Sequence, residues 1–247
     1  MDITHLHLVT GRLAPSSAPE VHEAERALGT PLPAGYAAFV QRYGQGLVGD
    51  FVRVYIPNDV VTMTEEWRDR VTAYWFWDTA GTGVTPEQLQ SDGVVFADTV
   101  NGDEVCFVAG NPDRCYILPR DSDEAVAVAG DLSEVLSWLL ESGQLIRPAP
   151  LPTFESWVDR ARLRYEAEGE AAFAGVRDGL LALRAHDLVK QDGKRLVLLI
   201  PSAGTRIEVS GHYMVRVLVS HDASHPQDVI AQVVGILEAN GLHRTTA

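Results

Sequence analysis

Residues 17–46 constrain the fold of this 247-residue chain more than any other stretch. Ser17 and Glu20 have the spacing of a capping box, in which each side chain bonds the other residue's backbone N–H at the start of a helix. The apolar residues that follow share one helical face: Val21, Ala24 and Leu28. Gly29 suits the left-handed conformation in which many helices end. The pattern therefore predicts a helix that begins at Ser17 and ends near Leu28.

A second helix is predicted directly after this turn, opened by Pro33 and ended by Gly44. Its apolar side chains recur at helical spacing, as Tyr36, Phe39, Val40 and Tyr43. A stripe of this kind is usually buried. We therefore expect the two helices to form a hairpin that contributes its aromatic stripe to a core.

The following hundred residues predict mainly strands. Residues 51–57 alternate in polarity up to Pro57, which indicates a strand, and residues 58–70 look helical, with Thr62 or Thr64 as the cap. Three short apolar runs then predict an antiparallel meander, at 94–97, 105–108 and 115–118. The first two are joined through Asn101-Gly102, a strong hairpin signal. A helix from Asp131 or Ser133, apolar along one face, should close the sheet.

This order of elements resembles the SUKH superfamily, which takes in fungal cell-wall assembly regulators and many bacterial immunity proteins. The matching residues of the helical hairpin are Glu25, Leu28, Gly29, Leu32, Pro33, Tyr36, Phe39, Tyr43, Gly44 and Gly46. Residues 93–108 and 131–140 look like the family's strand, turn and strand and its closing helix. The resemblance covers about residues 15–143. It implies an antiparallel sheet with flanking helices and a non-enzymatic protein-binding function, and it supplies no catalytic residue.

Three prolines at 148, 150 and 152 predict a stiff linker between two domains. We expect a SUKH-like domain at 1–146, a linker at 147–152 and a smaller α+β domain of unknown type at 153–247, so the whole chain is of the α+β class. Within the second domain, two helical stripes are predicted first, one of them carried by Phe154, Trp157, Val158, Ala161 and Tyr165, and the other by 173–183. Strands at 196–200 and 213–219 follow. A last helix should start at Ser224, Pro226 and Gln227 and end at Gly241.

Nearly all of the net charge of −14 lies in the first of these domains. Residues 1–150 hold nine Arg and no Lys against 22 acidic residues, a net charge of −13, whereas residues 151–247 have a net charge of −1. Such a domain repels nucleic acid and anionic lipid and attracts a basic partner. General solubility is the alternative explanation of the acidic charge. Without a signal-peptide pattern or a long apolar run, we expect a soluble cytoplasmic protein.

Two features predict where a partner would bind. The first is a pair of acidic loops, which carry Asp98, Asp103 and Glu104 and then Asp121, Asp123 and Glu124. The second is the aromatic run at 71–78, which an alternating strand would divide into Tyr74 and Phe76 on one face and Trp75 and Trp77 on the other. Trp75 and Trp77 are the predicted contacts, since aromatic residues often dominate binding energy. A polar hairpin turn and a doubly buried strand are the structural alternatives.

No pattern in the chain predicts catalysis, a metal site or a cofactor. Cys106 and Cys115 lack zinc-site spacing and are expected to be buried apolar residues. His212 and His221 lie at opposite ends of one predicted strand, which separates them too far to bind one ion. Both, like His225, are expected in exposed loops. The resemblance to the SUKH superfamily implies an immunity protein that neutralises a toxin, for example a basic nuclease, and the acidic charge and the missing motifs agree with it. The alternatives are a regulatory or scaffold protein of the cell-wall type and an unrecognised enzyme in the second domain; the oligomeric state is open.

Overall fold

The computed structural model describes residues 3, 5–146, 153–223 and 228–245, which form two compact units. The first unit contains the residues up to His7 and Leu13–Trp157, and the second contains Leu8–Arg12 and the residues from Val158 onward. The predicted linker at 147–152 lies outside the described residues. The division between the units falls after Trp157, five residues beyond the end of the predicted linker.

The first unit consists of an antiparallel sheet and several helices. In chain order its elements are β1 (His7–Leu8, at the junction of the units), α1 (Ala18–Leu28), α2 (Tyr36–Arg42), β2 (Gly46–Val48), β3 (Val52–Val54), α3 (Pro57–Ala73), α4 (Pro86–Asp92), β4 (Gly93–Thr99), β5 (Glu104–Val108), β6 (Asn111–Leu118), β7 (Val126–Ala129), α5 (Leu132–Glu141) and β8 (Thr153–Ser156). The strand order is β1-β8-β2-β3-β4-β5-β6-β7. The predicted α+β class, with an antiparallel sheet and helices, is confirmed.

Local signals positioned several of these elements correctly. Ser17 and Glu20 form both bonds of the predicted capping box on α1, and Gly29 ends the helix at a φ of 69°. Asp131 caps α5 in the same way with Glu134, and the apolar face of α5 is buried. The meander of β4, β5 and β6 is present, with Gly102 at a φ of 93° in its first turn. These elements depend on contacts between residues close in sequence.

Several predicted boundaries were wrong. Helix α2 begins three residues after Pro33, because Gly35 adopts a φ of 82° and serves as its N-cap. Strand β3 has only three residues, and Pro57 starts α3, so Thr62 and Thr64 lie inside that helix instead of capping it. The short elements β2, β7 and α4 were not predicted. A signal for α4 was present in the sequence, since Thr85 and Gln88 form a capping box with Pro86 at the first helical position between them.

The helix predicted over Phe154, Trp157, Val158, Ala161 and Tyr165 is wrong. Phe154 lies in β8, which pairs with β2 in the first unit. The Phe154 ring contacts the rings of Phe39 and Tyr43. Tyr165 lies in a long strand of the second unit. The apolar positions satisfied a helical period by coincidence, while the alternation of charged and apolar residues at 162–167 is the period of a strand.

The second unit is a six-stranded antiparallel sheet with two helices. Its elements are β9 (Ala161–Glu168), α6 (Ala172–Ala182), β10 (Leu188–Asp192), β11 (Arg195–Ile200), β12 (Thr205–Ser210), β13 (Met214–His221), α7 (Asp228–Ala239) and β14 (His243–Thr245), with a 3₁₀ turn at Pro201–Ala203. The strand order is β10-β11-β12-β13-β9-β14. Helix α6 and the strands at 196–200 and 213–219 were predicted, whereas β10, β12 and β14 were not. The predicted start of α7, at 224–227, lies outside the described residues.

Candidate functional site

The first acidic loop is held by partners within the first unit. Asp98 lies on β4 opposite Arg53 of β3, whose Nε donates to one carboxylate oxygen at 2.6 Å while its Nη2 bonds the other. This hydrogen-bonded ion pair raises the pKa of Arg53. Since both charges are compensated, Asp98 adds little to a negative surface.

Asp103 and Glu104 are engaged in the same manner. Asp103 is only 4% exposed and accepts hydrogen bonds from Thr99 Oγ1 at 2.5 Å and from the backbone N–H of Arg120 at 2.9 Å. Glu104 accepts from Trp67 Nε1 at 2.8 Å and forms an ion pair with Arg70. These two carboxylates therefore hold the β4–β5 hairpin to its neighbours.

The aromatic run follows α3 as an irregular segment, and the predicted alternating strand is wrong. Trp77 is 7% exposed, and its Nε1 donates to the carbonyl of Pro119 at 2.7 Å. Trp75 is half-buried, with its ring 5.3 Å from that of Trp77. The exposed members are Tyr74, at 70%, and Phe76, at 40%. The two residues selected from the sequence, Trp75 and Trp77, are therefore the less exposed members of the run.

The second acidic loop is joined to this aromatic run by the backbone. Asp78 forms a parallel bridge with Glu124, in which the Asp78 N–H donates to the Asp123 carbonyl at 2.5 Å and the Ala125 N–H donates to the Asp78 carbonyl at 2.9 Å. The two features predicted separately are thus neighbours. Together they form one patch, which we name the acidic aromatic surface: Tyr74, Phe76, Asp78, Asp121, Asp123 and Glu124.

Four carboxylates of this surface are exposed: Asp78, Asp121, Asp123 and Glu124. Within the described part of the chain, none of the four takes part in an ion pair. An Asp78 carboxylate oxygen accepts from the N–H of Ala80 at 2.8 Å, which fixes its position without neutralising it. The surface therefore combines uncompensated negative charge with two accessible aromatic rings, and Asp78 is a member that sequence reasoning did not select.

The residues weighed for other chemistry lie elsewhere. His221 is buried, which corrects the prediction of an exposed loop position, while His212 is exposed and His225 lies outside the described residues. Among the residues that the structure describes, no three His, Cys, Asp or Glu side chains are grouped as metal ligands would be. Cys106 and Cys115 are buried free thiols, as predicted, and burial raises the pKa of both.

The remaining findings concern membrane-spanning helices and similarity to known proteins. No helix in the described ranges has the length and hydrophobicity needed to cross a membrane. The family model described as SMI1 / KNR4 family (SUKH-1) matches residues 15–138, half of the chain. No curated protein matches the chain. The matched range contains the helical hairpin, the meander and every residue of the acidic aromatic surface.

Proposed function

The chain belongs to the SMI1/KNR4 (SUKH-1) family through residues 15–138, and on this premise we propose that it is a non-enzymatic immunity protein. It neutralises a basic toxin, such as a nuclease, by binding the toxin directly through the acidic aromatic surface. Members of this family bind partner proteins, and an acidic surface is complementary to a toxin that itself binds nucleic acid. The second unit lies outside the matched range, so the proposal concerns the first unit.

One observation supports this proposal more than any other: the pairing of Asp78 with Asp123 and Ala125. It places exposed aromatic side chains beside uncompensated carboxylates on one patch. Aromatic residues supply most of the binding energy at interface centres, whereas surrounding charges mainly accelerate association. The patch thus contains both components that a tight and fast protein inhibitor requires.

The test uses the product of a toxin-like gene encoded next to this one, immobilised for kinetic binding measurements. Between 0.01 M and 0.1 M salt the Debye length falls from about 30 Å to about 10 Å, so the association rate should drop steeply. The dissociation rate should change far less, because it depends on desolvated contacts at the centre of the interface. If no toxin gene lies beside this gene, and the protein binds none of the toxins produced by cell-free expression, the regulatory or scaffold function is favoured instead.

Variants separate the two components of the surface. Replacing Asp121, Asp123 and Glu124 by Asn, Asn and Gln should slow association and flatten its salt dependence. The matched control replaces Glu23, Glu65 and Glu66, which are exposed on α1 and α3, by Gln, and changes the net charge equally. Phe76→Ala should instead raise the dissociation rate by about 30-fold, the equivalent of about 2 kcal/mol. Equal effects of the control and loop variants, or salt-independent association, would overturn the proposed role of this surface.

A further inference from the structure

The sheet of the second unit has two chemically different faces. Apolar side chains of β9, β11, β12 and β13 pack against α6 and α7 on one face, where they form the core of the unit. The alternate positions of the same strands form three rows on the other face: Glu166-Arg216-Ser210-Arg195, Arg164-Leu218-Glu208-Val197 and Arg162-Ser220-Arg206-Leu199. Five arginines therefore lie on this second face, which we name the arginine face.

Only one end of the arginine face is covered by residues that the structure describes in this unit. Val9 is buried against Val197 and Leu199, with Leu188 packed beside them. The remaining part carries a shallow pocket of about 360 Å³, whose lining includes Arg164, Arg195 and Arg216 with Glu166 and Glu208. A pocket of this volume is at the lower end of the range for ligand-binding sites.

The charges on this face do not balance. Arg216 pairs with Glu166 at 3.3 Å, and Glu208 is shared between Arg206 at 2.6 Å and Arg195 at 3.7 Å. Arg162 and Arg164 are exposed, and among the described residues neither is in an ion pair. The three rows hold five guanidinium groups and two carboxylates, and the exposed Glu168 adds a third carboxylate at the next alternate position of β9, so the excess charge of these strands on this face is +2, in a chain whose net charge is −14.

We propose that the arginine face binds an acidic segment of a partner protein, whose carboxylates pair with Arg164 at the pocket and with Arg162 at the next alternate position of β9. Guanidinium groups bind carboxylates through two parallel hydrogen bonds, and Arg is enriched at protein interfaces. Glu166 and Glu208 stand between the arginines, so an occupant must tolerate both signs of charge. A protein segment meets that requirement, because acidic side chains alternate with neutral and basic ones along it.

Nucleic acid fits the same face poorly. Duplex DNA presents one phosphate charge per about 1.7 Å of its axis, and the two glutamates would repel that continuous array. Single-stranded nucleic acid is held by bases stacked on aromatic rings. None of the twelve side chains in the three rows is aromatic. The inference is independent of the acidic aromatic surface, which lies in the first unit.

The test uses the full chain and a fluorescein-labelled peptide of about ten glutamates, with fluorescence anisotropy between 20 and 150 mM salt. The long-range field of a protein with a charge of −14 repels this probe, so any binding must come from a local site. We expect salt-sensitive binding that weakens at least 10-fold in the double variant Arg162→Gln and Arg164→Gln. Both side chains are exposed, so the variant should fold, which circular dichroism would verify.

A matched control replaces two exposed arginines away from this face, Arg184→Gln and Arg244→Gln, and should leave the affinity within about twofold. Arg162→Lys combined with Arg164→Lys should retain part of the affinity, since the charge remains while the paired hydrogen bonds are lost. The proposal is overturned if the peptide does not bind at 20 mM salt, or if the control weakens binding equally. Tighter binding of a single-stranded oligonucleotide through the same arginines would also overturn it.

Neutralising Asp121, Asp123 and Glu124 should leave peptide binding intact, which distinguishes this test from that of the immunity function.

Discussion

At the residue scale, Tyr36 and Phe39 show how the helical hairpin is anchored. Both rings are buried, and the Tyr36 hydroxyl donates to the Tyr55 carbonyl at 2.7 Å. Tyr36→Ala and Phe39→Ala should each reduce the free energy of unfolding by about 3–5 kcal/mol through cavity formation. Tyr36→Phe removes only the hydrogen bond and should cost about 1 kcal/mol. Urea denaturation measures all three. Lost partner binding at unchanged stability would show that this stripe is an interface.

The two thiols provide a second prediction at this scale. Burial raises the pKa of Cys115 to about 12 and that of Cys106 well above its usual value. The neutral thiols are therefore favoured by the fold. Their contribution to stability is complete below the unfolded pKa, near 9, and is lost as the pH rises toward the folded values. Neither cysteine should react with a thiol reagent in the native protein at pH 8, and both should react in denaturant. Rapid native labelling would contradict this burial.

At the element scale, β8 determines where the first unit can be cut. Phe154 is buried, and its ring lies 5.9 Å from that of Phe39 and 5.1 Å from that of Tyr43. β8 also pairs with β2. A fragment ending at Ile146 lacks both contributions, although the sequence alone suggested that it would fold.

We therefore expect residues 1–157 to melt cooperatively and residues 1–146 to be molten or insoluble. Circular dichroism of the two fragments makes the comparison. Phe154→Ala in the full chain is the companion variant, which should lower stability by about 3–5 kcal/mol. Equal stability of both fragments would show that β8 is dispensable.

At the scale of the whole molecule, a short segment of the second unit, Leu8–Arg12, interrupts the chain of the first unit near its start. Within the second unit Val9 packs on Val197 and Leu199, and the buried Thr10 hydroxyl donates to Asp222 at 2.5 Å. Arg12 donates to the Asp159 carbonyl at 2.8 Å. The segment Leu8–Arg12 thus completes a unit from whose other residues it is separated by the 145 residues of Leu13–Trp157.

Changes in this segment should destabilise the second unit selectively. Val9→Ala should cost about 2 kcal/mol, and Thr10→Val about 1–3 kcal/mol, because a buried carboxylate loses a donor. Scanning calorimetry should resolve two transitions, since separate domains unfold separately. The two variants should lower one transition, and Phe39→Ala should lower the other. A single transition shifted by all three variants would show that the units unfold together.

The sequence by itself determined the elements that rest on short-range contacts. The capping boxes of α1 and α5, the Asn-Gly turn and the apolar runs of β4 and β5 each involve residues within a few positions of one another. Their chemistry is complete before the chain folds. The family resemblance followed from these same elements, and the acidic balance of the first 150 residues followed from composition alone.

The tertiary structure alone decided which side chains remain available for binding. Asp98 meets an arginine 45 residues away, Glu104 meets a tryptophan 37 residues away and Trp77 reaches a carbonyl 42 residues away. Composition describes all six predicted acidic residues alike, yet distant partners neutralise or bury three of them and leave Asp121, Asp123 and Glu124 exposed. Likewise β8 belongs to the first unit through the contacts of Phe154 with Phe39 and Tyr43. Burial against these distant rings stabilises a strand where the local pattern predicted a helix.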